Sequence, residues 1–126
     1  MTVVLPPGID AAAFGAAMRA FAAELGSENV LVSERDLIPY HDAYGFNALD
    51  DHHPSGAISP ANTEELRAIL RIANERGVPL WPISRGKNYG YGGAAPRMSG
   101  SVVLDLGRMR RIIDIDAARG VALVEP

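Results

Sequence analysis

The chain has 126 residues, 48% hydrophobic and 21% charged, which suits one modest globular domain with a real core and argues against disorder. A formal net charge of −3 argues against a general binder of nucleic acid or of anionic membranes. Cysteine is absent, which excludes disulfides, zinc thiolates, thiol catalysis and cysteinyl cofactor attachment within the chain.

The first residues, "MTVVLPPGID", hold neither a basic region nor a sustained apolar run, so no signal peptide is read and a cytoplasmic location is expected. No stretch approaches membrane-spanning length. Asp10 is placed to cap a helix over "AAAFGAAMRAFAAEL" that stops before Gly26, with Phe14, Met18, Phe21 and Leu25 as its apolar stripe. Gly15 and the alanines let this helix pack closely on a partner. "ENVLVS" reads as a short strand, and "SERDLIPY" as a helical turn with Ser33 and Asp36 in capping spacing. Tyr40 to Pro60 reads as irregular, with Asp50, Asp51, His52 and His53 in a surface loop. Such a cluster is more often solvated than metal-bound, and no metal site is assigned. His41 with Asp42 reads as a turn rather than an acid–base pair. A boundary is placed at Pro54, dividing an N-terminal region, 1–53, from a second unit, 54–126.

"NTEELRAILRIANERG" carries the clearest helix signal: Asn62 as N-cap, Glu65 to complete a capping box and Gly77 as the left-handed stop. Leu66, Ile69, Leu70 and Ala73 form its expected apolar face. "VPLWPIS" reads as a buried strand, with Trp81 in the core or shielding a ligand. A glycine-dense loop follows, and then "SGSVVLDLG", "IIDID" and "VALVE" read as strands, the last two joined by the turn "AARG". Arg108, Arg110 and Arg111 form a basic cluster read as a solvated face. The pattern is α+β with a partly antiparallel later sheet. The closing "GVALVEP" stops without a closing element, which suggests part of something longer.

The loop, "PISRGKNYGYGGAAP", concentrates Gly86, Gly90, Gly92 and Gly93. A dinucleotide-binding turn is rejected, because the glycine spacing fails and a strand, not a helix, comes next. A P-loop is rejected, because Asn88 follows Lys87 where Ser or Thr is required. Two readings stay open on the residues alone: a tight structural turn, or a nest of backbone N–H groups for a phosphate anion. In the second, Ser84 and Asn88 add donors, Arg85 or Lys87 adds charge, and Tyr89 or Tyr91 packs on a ring or bonds a phosphate oxygen. No serine stands in a nucleophile-elbow context.

"GKNYGYGGAAP" followed by "SGSVVLDL", together with "PPG", "SENVLVS", "HDAY" and "ANTEELRAILRIANERGVPL", resembles the vanillyl-alcohol oxidase / 4-cresol dehydrogenase flavoprotein family, which includes eugenol oxidase. "RMRRIIDID" leans toward 4-cresol dehydrogenase, and "YGGAAPR" is shared with the alcohol oxidases. The resemblance implies the first part of a PCMH-type FAD-binding domain, built of two small α+β subdomains. It implies that Ser84, Arg85, Gly86, Lys87, Asn88, Tyr89, Gly90, Tyr91 and Gly92 wrap the FAD diphosphate, mainly by backbone N–H groups. Pro82 and Ile83 would stand at the entrance, and Gly93 to Pro96 would continue along the cofactor.

The implied activity is hydride transfer from the benzylic carbon of a 4-alkylphenol to FAD, leaving a p-quinone methide that takes up water or becomes a vinyl product. A homodimer and a cytochrome c electron acceptor are compatible with the family; nucleic acid and membrane are not expected partners. The sequence departs from the family at Arg85, where smaller residues are commoner. It also places Tyr44 where vanillyl-alcohol oxidase has a histidine that assists flavin attachment, so that role is not carried over. No catalytic residue is assigned, because the substrate-binding cap lies beyond this text, and the chain alone is expected to be inactive. The alternatives are a 2-hydroxy-acid or lactone oxidase of the same superfamily, and a non-catalytic nucleotide-binding fragment.

Overall fold

The computed structural model describes residues 4–41, 52–87 and 93–126. Asp10 caps helix α1 (Ala11–Leu25), its carboxylate accepting the Ala13 N–H at 2.8 Å. The expected stripe of Phe14, Met18, Phe21 and Leu25 is buried, joined by Ala17. Helix α3 (Thr63–Arg76) starts at Asn62, which accepts the Glu65 N–H at 2.9 Å while Glu65 reaches back to the Ala61 N–H at 2.7 Å. Gly77 ends it in the left-handed conformation, φ 66°. Its buried residues are Ile69, Ile72 and Ala73; Leu70, expected on that face, is half-exposed, because Ile72 takes the place against the core.

Between these helices lie β1 (Val30–Leu31), the single-turn helix α2 (Glu34–Leu37) and β2 (Gly56–Ile58); β3 (Leu80–Ile83) and β4 (Val102–Asp105) come later. Together the strands form a four-stranded sheet of order β1-β2-β4-β3. Strand β4 pairs in parallel with β2 and β3, and β1 runs antiparallel to β2. Alternation along β4 and β2 divides the core between two faces. Val102, Leu104 and Ile58 pack with α1 and α3, whereas Val103 and Ala57 pack with Leu37, Leu31, Tyr40 and Ile83.

Three expectations are corrected. Strand β2 lies inside the stretch read as irregular; it is short, wholly buried and lacks a β-branched run, so it gives almost no periodic signal. The strand read over "ENVLVS" shrinks to Val30–Leu31, because Ser27–Asn29 form a 3₁₀ turn. "VPLWPIS" is an edge strand rather than a buried one, half-buried with Pro82 exposed. The carbonyls of Pro79 and Ile83 accept from Val102 and Leu106 of the β4 segment. Alternate residues face the same side, so Pro82 faces the open edge.

As expected, β5 (Ile112–Asp116) and β6 (Val121–Val124) pair antiparallel, with Gly120 at φ 66° in the turn between them. Ile112, Ile113, Ile115, Val121, Leu123 and Val124 are exposed on this hairpin. Among the described residues, no helix is long and apolar enough to cross a membrane.

Candidate cofactor site

The parallel strands β2, β4 and β3 bring their carboxyl ends to one side of the sheet, at Ile58, Asp105 and Ile83. Ligands of open parallel sheets collect outside such ends. The glycine loop departs from this side. Ser84, Arg85 and Lys87 are exposed and Gly86 is half-buried. Among the described residues neither Arg85 nor Lys87 takes part in an ion pair. Asn88, Tyr89, Gly90, Tyr91 and Gly92 lie outside the described residues, and so does the Asp42 to Asp51 segment.

Gly86 has φ 63°, the left-handed conformation that a backbone nest uses. A Cβ there would lie 2.7 Å from the Ala94 Cβ and 3.3 Å from Ile83 Cδ1. The Gly86 backbone therefore rests directly on Ala94, which is buried, and the two ends of the loop meet at this contact.

The root of the loop is held from the other side by residues that the sequence reading missed. Leu106 N–H donates to the Ile83 carbonyl at 2.9 Å. Asp105 stands beside Ile83 in the ladder, and each carboxylate oxygen accepts one donor at 2.8 Å, Oδ1 from Gly107 N–H and Oδ2 from the Tyr40 hydroxyl. The first bond is an Asx turn, and "DLG" was its signal in the sequence. The second spans 65 positions of the chain, and no local pattern announces it. A Cβ on Gly107 would come 3.5 Å from the Ser84 carbonyl oxygen, so this glycine backs onto the first loop residue.

Burial, and then the bond to Asp105, push the Tyr40 phenol well above its ordinary value of 10.0. A raised pKa in the folded state means that folding favours the neutral phenol. Its contribution is complete below about pH 10 and is lost as the pH rises further, through the folded-state value. Thermal melts of the wild-type chain should therefore drop more steeply above about pH 10 than those of Tyr40→Phe.

Other singled-out residues have ordinary partners. Arg108 donates to the Ser59 carbonyl at 2.6 Å, and Arg111 bonds Glu125 through Nε and Nη2 at 3.0 and 2.8 Å; Arg110 is exposed. His41 meets the His53 ring edge-on at 5.0 Å. Among the described residues no group of His, Asp and Glu is arranged to hold a metal. Trp81 is half-buried, with its indole N–H buried and without a hydrogen-bond partner among the described residues.

An exposed turn with a left-handed glycine and two cations that form no ion pair among the described residues, at the carboxyl ends of parallel strands, fits a dianionic diphosphate. The family model described as "FAD binding domain" matches residues 54–126, and the chain belongs to that family. Within it, the chain is similar to the 4-cresol dehydrogenase [hydroxylating] flavoprotein subunit of Pseudomonas putida, at 42% identity over 98% of this chain and 24% of that protein. Its fold superposes on 4-ethylphenol oxidase from Gulosibacter chungangensis with a TM-score of 0.90, at 39% identity over 95% of this chain and 23% of that one. For p-cresol methylhydroxylase solved with substrate bound the TM-score is 0.79, at 40% identity over 90% of this chain and 22% of that one. These matches bear out the resemblance to the vanillyl-alcohol oxidase / 4-cresol dehydrogenase flavoproteins and the PCMH-type α+β fold. The chain spans about a quarter of the length of these relatives.

Proposed function

We propose that the protein carrying this chain is an FAD-dependent oxidoreductase of 4-alkylphenols, and that residues 54–126 form the first part of its FAD-binding domain. Residues 1–53 lead into that part and supply α1 to its core. The observation that carries the reading is the loop built at the carboxyl ends of β3 and β4, whose left-handed Gly86 and exposed Arg85 and Lys87 suit a diphosphate. Backbone N–H groups from Ser84 through Gly92, including Asn88, Tyr89, Gly90 and Tyr91, would hold the diphosphate. Pro82 and Ile83 would stand at its entrance. Bound FAD supplies a two-electron acceptor, which suits removal of a hydride from the benzylic carbon of a 4-alkylphenol to leave a p-quinone methide. The residues of this chain bind and orient; none of them is assigned a part in the substrate's chemistry. The Pseudomonas putida relative is named a flavoprotein subunit, which supports a further subunit here; a cytochrome c electron acceptor in that place is what the family resemblance implies.

The test is to purify the protein that carries this chain, record its visible spectrum and assay it with 4-cresol and 4-ethylphenol in the presence of an artificial electron acceptor. A flavin spectrum that bleaches on adding a 4-alkylphenol is expected. A flavin-free protein would sink the proposal, and so would a flavoprotein that oxidises 2-hydroxy acids but not phenols.

A further inference from the structure

We infer that Tyr40 and Asp105 are positioning residues for the cofactor diphosphate: through Gly107 they set the peptide between Ser84 and Arg85, so that the Arg85 N–H faces the ligand side of the loop. The inference rests on the reading of the loop as an FAD diphosphate cradle.

Gly107 is fixed at Asp105 Oδ1, and its α-carbon backs onto the Ser84 carbonyl oxygen. A trans peptide is planar, with its C=O and N–H pointing in opposite directions. With the Ser84 carbonyl oxygen lying on the Gly107 side, the Arg85 N–H of the same planar peptide points the other way, away from Gly107. The next residue, Gly86, is left-handed and anchored on Ala94, so the peptide cannot turn without disturbing that contact. A carboxylate at the root of an anion site would ordinarily repel the anion. Here each Asp105 oxygen already accepts a hydrogen bond, one from a phenol and one from an amide, so its charge is directed into the protein. Tyr40 is what takes up the second oxygen, donating its hydroxyl to Asp105 Oδ2.

The roles are separable because asparagine reproduces the hydrogen bonds without the charge. Its Oδ1 accepts from Gly107, and its amide donates to the Tyr40 oxygen. In the protein that carries this chain, freed of its flavin, FAD titration is expected to give a Kd raised about tenfold for Asp105→Ala, with Asp105→Asn within about threefold of wild type. Tyr40→Phe, which leaves the Asx turn in place, is expected to fall between these two. The ³¹P resonances of bound FAD should shift in Tyr40→Phe, a signature that a role confined to stability would not produce.

Wild-type Kd in Asp105→Ala would overturn the inference while leaving the cradle reading intact. Asp105→Asn binding as weakly as Asp105→Ala would do the same, as would unchanged ³¹P lines in Tyr40→Phe. A wild-type protein that binds no FAD would overturn the cradle reading and this inference together. If Asp105→Ala does not fold, Tyr40→Phe and Asp105→Asn decide by the same measurements.

Discussion

Replacing Gly86 with alanine is expected to raise the Kd for FAD at least about tenfold in the protein that carries this chain. Two causes act together. An L-residue held in the left-handed region costs about 1–2 kcal/mol, and about 1.4 kcal/mol is a factor of ten in affinity. The new methyl group would also sit 2.7 Å from the Ala94 Cβ, well inside van der Waals contact. If the backbone escapes by turning to negative φ, the Gly86 N–H leaves the direction proposed for holding the diphosphate. Titration of the flavin-free protein by fluorescence quenching measures the effect. Pairing the change with Ala94→Gly helps to separate the causes, since the double variant removes the closest contact, leaving Ala94 Cα at 3.2 Å and Ile83 Cδ1 at 3.3 Å, and keeps the strained φ. A Gly86→Ala protein with affinity within about twofold of wild type would show that this conformation is not what the cofactor reads.

Gly100→Ala is expected to be the most damaging single methyl for the fold. Gly100 has φ 84°, and a Cβ there would run into the Leu5 carbonyl oxygen and come within 2.6 Å of the Leu5 carbonyl carbon. All of the closest atoms belong to the Leu5–Pro6 backbone, so no side chain can turn aside. Gly100 is buried, and its own N–H donates to the His53 carbonyl at 2.7 Å, which opposes a shift the other way. Backbone strain and overpacking together amount to about 3 kcal/mol or more. Thermal or urea denaturation of the chain should show a loss of that order. Gly8→Ala is the control, with φ 76° but open space around the added methyl, and should cost only the strain. Equal losses for the two would refute the packing argument.

The helices were legible because their signals are local. Asp10 and Asn62 cap, Gly77 stops, and the α1 stripe repeats at 3.6-residue spacing, so propensity and burial agree. Strand β2 was not legible, because "GAI" owes its place to neighbours on both sides: β1 on one and β4 on the other. The expectation of a buried β3 failed because its apolar residues are half-covered at the sheet edge rather than enclosed. For the site, glycine density and neighbouring cations marked the loop. The parts that hold its root depend on tertiary contacts. Asp105 could have been suspected from the glycine two positions on, but Tyr40 lies 65 positions away in the chain and meets it only in the fold.

Strand β3 closes one side of the four-stranded sheet, and Pro82 points to the side that has no neighbouring strand among the described residues. An open strand edge is a template on which another chain can add a strand, the first step toward aggregation. Proline has no N–H to offer there, and its ring obstructs an incoming strand, so this edge is a poor template while the inward ladder to β4 keeps its bonds. The opposite edge is protected by brevity, since β1 is two residues long. The residue read at first only as an entrance to the cofactor loop therefore also guards the sheet against growing beyond its own chain.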